Sequence, residues 1–464
     1  MRAVSCTMIL LTILLVGCTK LTNVDGPPNR FDNPFQSDET ATGLILGIYE
    51  KNMERQCLFN GHMSRYGGLR STEFALRIVS GDDGDFQLLQ LKPNNRVLGF
   101  LWLPAYECIA RCNLVLHELP GAKDVSESLK PILLGEAYFL RALSYFYLVN
   151  LFDSIPLVTG IDIGENSQLP QSGAKSIYDQ IEQDLQAALP LLPDRHPDTG
   201  LDSLRRTRIE KGAANGLLAR VYLYLGNYEQ AAHYSTLVIE QGGYQMENLE
   251  KVFYNTSRET ILQFKPVMAT ASTAEASIFL PDVGGIPNYE LTNTVLQSFV
   301  AGDLRKSQWT RLMRVGTQDK YQARKYTITT AQPRLEYNIV LRLAEQYLIR
   351  AEARVRLGDI SGASADLSII RQRAGLNSLP GNSTVLSLLQ AIASERQAEL
   401  FAEWGHRLLD LHRWWSLPTG DVLQFRADSV LKSQPGWHPY MRHWPIPQQE
   451  LFKNPQLHQN EGYN

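Results

Sequence analysis

Cysteine is scarce, with five in 464 residues, at positions 6, 18, 57, 108 and 112. So few thiols at such uneven spacing exclude a disulfide framework in a chain of this size. Cys108 and Cys112 lie one helical turn apart, but no second pair of ligands stands at matching spacing, so they read as packed free thiols and not as a metal site. Charge of one sign is also missing: Lys and Arg number 45, Asp and Glu 48, and the net charge is -3. With no basic run to neutralise consecutive phosphates, a nucleic-acid partner is excluded. Beyond the N-terminus no apolar run reaches the about 18 uninterrupted residues of a membrane-spanning helix. GxSxG, HExxH, P-loop and GxGxxG motifs are all absent, which removes the common nucleophile, zinc and phosphate chemistries and calls for no cofactor.

What is present is the composition of a globular protein, 44% hydrophobic and 20% charged, long enough for one large domain or a few ordinary ones. The apolar run Met8 to Val16 follows the single basic Arg2 and is too short to cross a bilayer, so residues 1–17 read as a signal peptide. Leu15-Val16-Gly17-Cys18 resembles the bacterial lipobox, in which cleavage precedes the Cys and its thiol receives diacylglycerol. An ordinary secretory signal with Cys6 and Cys18 as bystanders is the alternative; the position of Cys18 where the apolar run ends favours lipidation, with the lipid as membrane attachment. Residues 18–38 carry three prolines and many turn formers and form a tether that reaches roughly 65 Å when extended.

From Glu39 onward apolar residues recur at helical spacing, which predicts one all-α domain over 39–464. The stretch Gly135 to Phe152 is apolar nearly all round and predicts a helix buried against several neighbours. Ala214, Leu217, Leu218, Val221, Tyr222 and Leu225 form one stripe, Gly226-Asn227 breaks it, and Ala231, Ala232, Ser235, Val238 and Ile239 form the next. This hairpin follows the tetratricopeptide pattern, with small Ala219 and Ala231 where two helices approach closely. Tyr347, Ala351, Gly358, Asp359 and Ala363 repeat it. Helix pairs are therefore expected at 135–152 with 174–190, 213–225 with 228–240, and 340–356 with 360–374. Between an N-terminal part over 39–240 and a C-terminal part over 334–464, residues 245–333 lose helical periodicity, as does the shorter stretch Gly61 to Gly99. Long irregular segments on a rigid scaffold are where function is carried.

The segment Ser394 to Trp415 reads as one charged helix. Glu395, Glu399, Glu403 and Asp410 offer paired carboxylates of the kind glycoside hydrolysis uses. Arg396, Arg407 and Arg413 alternate with them at helical spacing, which favours charge pairing and lowered carboxylate pKa values over general-acid work. Arg396, Glu399, Glu403, Arg407 and Asp410 are accordingly expected to form a buried ion-pair network. His406, His412, His438 and His443 share no helix face at metal spacing and read as packed or surface residues.

Several segments together resemble the SusD/RagB family of outer-membrane nutrient-binding lipoproteins. They are Ser394-Glu395-Arg396, Glu399-Leu400, Glu403, Gly405-His406-Arg407, Asp410-Leu411 and Arg413-Trp414, then Pro445-Ile446-Pro447, Glu450, Asn454-Pro455, Gln459-Asn460 and Gly462-Tyr463. Trp102, Tyr106, Ile109 and Asn113 add to these, as do Glu136-Ala137, Leu140-Arg141-Ala142, Tyr145-Phe146, Leu151-Phe152, Ile155-Pro156-Leu157 and Ala219 to Gly226. The resemblance covers the mature chain. It implies four tetratricopeptide-like helix pairs with loop insertions that build a ligand face. It also implies a protein that is not an enzyme, displayed on the outer face of the outer membrane. There it would act as a hinged lid over a SusC-type TonB-dependent transporter and capture a glycan or, in the RagB branch, a peptide. Asp25 is the first acid after Cys18, whereas family members often carry acids sooner.

Ligand contacts are sought among aromatic residues of the irregular segments, since sugar rings and apolar peptide side chains both lie against aromatic faces. Trp404, Trp414, Trp415, Trp437 and Trp444 fall in the C-terminal motifs, and Trp102 falls in a helix motif, where packing explains them. Trp309 and Tyr289 from the insertion, with Tyr66, Arg70 and Phe86 from the first loop system, make the expected ligand face. A repeat scaffold that binds only other proteins is the alternative function and predicts that no nutrient ligand binds.

Overall fold

The computed structural model describes residues 34–54, 57–197, 206–267, 272–280, 288–330 and 332–463. The signal segment and Cys18 lie outside them. Helices dominate, and every strand is short and belongs to a two-stranded sheet.

Helix α1 (Asp38–Asn52) starts at a capping box in which the Ser37 hydroxyl accepts the Thr40 N–H. Helices α2 (Arg96–Glu118) and α3 (Lys130–Phe152) follow, then α4 (Ala174–Ala188). Length and composition alone would let α3 cross a membrane. Its apolar surface is instead covered by α2, α4 and α1, and Leu140, Leu143, Phe146 and Leu151 have no solvent contact. Each such Leu or Phe contributes about 1.5–3 kcal/mol of burial, so α3 is the axis of the core.

Helices α5 (Lys211–Tyr224) and α6 (Tyr228–Gln241) form the next antiparallel pair, and α7 (Leu343–Arg356) and α8 (Ile360–Arg373) another. The two turns are built alike. Gly226 at φ 71° and Gly358 at φ 85° take the left-handed conformation that ends the first helix. The next side chain then caps the second helix: Asn227 accepts from Gln230 N–H at 3.2 Å and Asp359 from Gly362 N–H at 2.8 Å. Ala219, Ala231, Ala351 and Ala363 are fully buried where the helices touch.

Although a long insertion separates α6 from α7 in sequence, the two pack side by side. The base of the insertion is closed by Thr260–Phe264 pairing antiparallel with Asn338–Arg342, with Leu343 N–H donating to Glu259 O at 2.9 Å. The insertion also pairs Tyr289–Leu291 with Phe74–Leu76, so the two irregular regions meet in one small sheet.

Two local expectations are corrected. The stretch from Gly61 is not wholly irregular, since Leu58–Gly67 is a wide helical segment kinked at Asn60 and Gly61. Ser394 to Trp415 is two helices, α9 (Val385–Leu400) and α10 (His406–Trp415), not one. Between them Ala402, Trp404 and Gly405 have positive φ. The turn lets Trp404 leave the helix surface, donate from Nε1 to Ile339 O at 2.6 Å and pack on Phe59 and Tyr147. Helix α11 (Val422–Lys432) packs on α9 and α10, and the C-terminal segment returns across the end of α3. There Trp444 N–H donates to Leu151 O at 2.7 Å and Asn460 Nδ2 to Phe152 O at 2.9 Å.

Candidate functional site

The break after Leu400 sorts the charged residues into two groups. Arg342, on the strand at the base of the insertion, donates to Glu259 at 2.9 Å, Glu399 at 2.6 Å and Glu403 at 2.8 Å. Arg305 meets Asp303, Glu395 and Glu399, Arg373 meets Glu259 and Glu399, Arg371 meets Glu395, and Lys325 meets Glu403. Five cations thus face five carboxylates at the junction of insertion and frame. Burial alone would raise the Glu399 carboxyl, but Arg373, Arg342 and Arg305 outweigh it and hold it well below the usual range. The second group joins Arg396 to Asp410 at 2.7 Å, and Arg413 to Asp410 at 2.8 Å and Glu352 at 2.6 Å.

Arg407 belongs to neither group. It is buried, yet its Nε and Nη1 have no hydrogen-bond partner among the described residues. The turn at Phe401–Gly405 rotates α10 relative to α9, so Asp410 faces Arg396 while Arg407 is turned toward α11.

All five residues expected to face a ligand are buried. Tyr66, Phe86 and Tyr289 do converge: Tyr66 and Tyr289 both donate to Asp83, which also pairs with Arg65, and the rings of Tyr66 and Phe86 lie 4.6 Å apart. They pin the first loop system from beneath instead of presenting a face. Arg70 donates to Met441 O at 2.7 Å. Trp309 stands apart from the others, its Nε1 donating to Leu249 O at 3.0 Å and Lys325 4.7 Å over its ring. The hydroxyls of Tyr66 and Tyr289 and the indole N–H of Trp309 all find partners inside the protein, so these aromatic bodies stay in the core.

An aromatic feature that reaches the surface, with His438 exposed and Tyr440 and Tyr463 half-buried, is found where sequence reasoning assigned only packing, at the C-terminal segment. A short turn, Pro439–Arg442, lifts Tyr440 between two hollows. One, of about 530 Å³, is lined by Asp153, His438, Arg442, His443, Asn460 and Glu461 beside Tyr440. The other, of about 650 Å³, lies between Tyr440 and Tyr463 on one side and the loop Leu89 to Asn94 on the other. The rings of His438 and Tyr440 are parallel at 5.8 Å, and Tyr463 meets Tyr440 edge-on at 5.1 Å. Gly462 is required here, because a Cβ would come within 2.4 Å of the Tyr440 ring. Gln448 N–H donates to Pro93 O at 2.9 Å and ties the loop to the C-terminal segment. Asp153, at φ 63°, ends α3 in a conformation that L residues rarely take, and this aims its carboxylate at His443, 3.6 Å away. Burial lowers the His443 pKa, with Asp153 opposing and Arg442 adding to the shift. The signal in the sequence was Gln434-Pro435-Gly436-Trp437-His438-Pro439-Tyr440, a turn-rich run that places aromatic residues on a loop.

The cluster of His438, Tyr440 and Tyr463 between two polar hollows, mounted on a helical-repeat frame, is a candidate ligand-binding surface. The chain belongs to the SusD/RagB family: residues 287–463 match the SusD family model, and residues 70–223 match a model described as starch-binding associating with outer membrane. A SusD-like protein of Formosa agariphila is 24% identical over 421 residues, 78% of each chain. One of Bacteroides ovatus is 24% identical over 417 residues, 76% of this chain and 72% of its own. Among solved structures, a laminarin-binding SusD-like protein is 26% identical, covers 92% of this chain and 100% of its own, and superimposes with a TM-score of 0.75. Surface glycan-binding protein A from Bacteroides uniformis, 21% identical, covers 91% of this chain and 99% of its own at a TM-score of 0.77, which speaks to the fold.

Proposed function

We propose that this protein captures a glycan at the outer surface of the outer membrane, held there by a lipid on Cys18, and passes it to a SusC-type TonB-dependent transporter over which it acts as a lid. The observation that carries the reading is the Tyr440 ridge: a parallel His–Tyr pair beside a hollow whose rim holds carboxylate, guanidinium, imidazole and amide groups, with a second hollow of amide groups and Lys92 on the other side of Tyr440. A sugar ring offers an apolar C–H face to an aromatic side chain and hydroxyls to such a rim, and each hollow is of the size that takes one or a few sugar units. The laminarin-binding relative supports glycan over peptide, and the groups of both signs around the first hollow suit a neutral saccharide. Tyr66, Phe86, Tyr289 and Arg70 serve by fixing the loop and the turn that flank Tyr440, and Trp309 by packing the insertion.

A capture protein must also release its cargo, so low-millimolar to micromolar affinity is expected, roughly 4–8 kcal/mol. Calorimetry against a panel of neutral oligosaccharides tests this. Binding that falls at least tenfold in Tyr440→Ala supports the site. A panel of glycans and oligopeptides that all fail to bind would overturn the reading in favour of a protein-binding scaffold.

A further inference from the structure

Arg407 lines a separate hollow of about 450 Å³ between the loop Thr294 to Ser298 and helices α9 and α11. The charge here is unlike that of the Tyr440 ridge. Arg407 and Arg426 both line the hollow, and no carboxylate does. Arg407 is only 4% exposed, yet Nε and Nη1 lack partners, and Nε of Arg426 lacks one too. A buried guanidinium without a hydrogen-bonded counter-ion is costly to keep, so its persistence calls for a ligand that completes it. The carboxylates within electrostatic reach do not do so. Asp410 is already held by Arg396 and Arg413. Glu73 accepts from Ala402 N–H, and burial pushes its carboxyl up to about 7, which leaves much of it uncharged at neutral pH.

The remaining lining combines hydroxyl, amide and aromatic groups with Val422, Leu423 and Val430. Arg426 donates to Ser394 and to Gln397 at 3.2 Å each, and so holds a hydroxyl and an amide at the wall. Phe425, 70% exposed, stands at the rim and offers a ring face.

We propose that this hollow binds the anionic group of an acidic saccharide, a uronate carboxylate or a sulfate ester, between Arg407 and Arg426 with the sugar ring against Phe425. Guanidinium groups suit both anions because their paired N–H donors match two oxygens at once. The proposal rests on the glycan reading and adds a second subsite that selects charge, where the Tyr440 ridge selects shape.

The test uses the full mature chain and three probes: a uronate-containing disaccharide, a sulfated disaccharide, and the neutral disaccharide of the same linkage. Wild type is expected to bind at least one acidic probe tenfold or more tighter than the neutral one, and the acidic probe that does so identifies the anion. Arg407→Gln and Arg426→Gln should each abolish that preference, and Phe425→Ala should weaken the acidic probe about threefold or more. Arg426 is half-buried, less so than Arg407, and carries the test if Arg407→Gln does not fold. Tyr440→Ala should leave the preference intact while lowering neutral-glycan binding, so failure here and failure of the ridge are read separately. Equal affinity for all three probes, an undiminished preference in the Arg426→Gln protein, or stronger binding of an acetylated dipeptide through its terminal carboxylate would overturn the proposal.

Discussion

Arg342 reaches three glutamates from a fully buried position, whereas Arg407, on α10, reaches none. Removing one partner of a buried ion group strands the others, so Arg342→Ala is expected to cost about 3–5 kcal/mol in urea unfolding. Arg407→Met should cost far less, because no ion pair is lost; a loss as large as that of Arg342→Ala would show a hidden partner. Glu275 makes a second residue-scale case. Burial pushes its carboxyl up to about 7, against the pull of hydrogen bonds from Asn338 and Ser64. Its folded pKa exceeds the unfolded value of 4.5, so its stabilising contribution is complete below pH 4.5 and is lost as pH rises through 7. The stability of Glu275→Gln relative to wild type should therefore climb between those pH values, by on the order of 3 kcal/mol, and level off above. A difference independent of pH would place the carboxyl in its ordinary range. The sequence made the alternation of acids and bases in 394–415 legible. It did not reveal the turn at Phe401–Gly405, because these five residues leave the helix for the sake of a distant Trp404 contact.

At the scale of elements, the paired hairpins were the most legible part of the chain, since a stripe, a Gly and an Asn or Asp cap are all local signals. Gly358 isolates the backbone contribution: φ is 85° and a Cβ there would meet nothing within 4 Å. Gly358→Ala is thus expected to lose about 1–2 kcal/mol through the left-handed conformation alone, and Gly358→Asn less. Equal stability of all three proteins by thermal unfolding would show that the turn can relax. The elements proposed to face a ligand were harder to read. A Trp or Tyr on an irregular segment looks the same in sequence whether its ring reaches the surface, as at half-buried Tyr440, or is enclosed, as at Trp309. What decides is whether a backbone carbonyl such as Leu249 O lies within reach of the polar tip, and that depends on long-range folding.

For the whole molecule, attachment is expected to depend on one atom, the thiol of Cys18. A single acyl chain binds a bilayer weakly, and stable anchoring takes the several chains that lipidation supplies. Cys18→Ala should therefore move the protein from washed membranes to the soluble fraction when expressed without its transporter; retention at wild-type levels would argue against a lipid anchor. The frame itself closes whether or not the insertion is long, since α6 packs on α7 and the ladder Thr260–Phe264 with Asn338–Arg342 seals the gap. A region mounted in this way behaves as a cassette, free to drift in length and sequence while the scaffold stays put. One restriction applies to every replacement. Glu395, Glu399 and Glu403 belong to the scaffold, whereas Arg305 and Lys325 arrive with the cassette. A graft that omits those two cations would leave each carboxylate only its partners in the frame, Arg371 for Glu395, Arg342 and Arg373 for Glu399, and Arg342 for Glu403, so the scaffold favours insertions that carry matching charges, a complementarity between the two parts of one polypeptide.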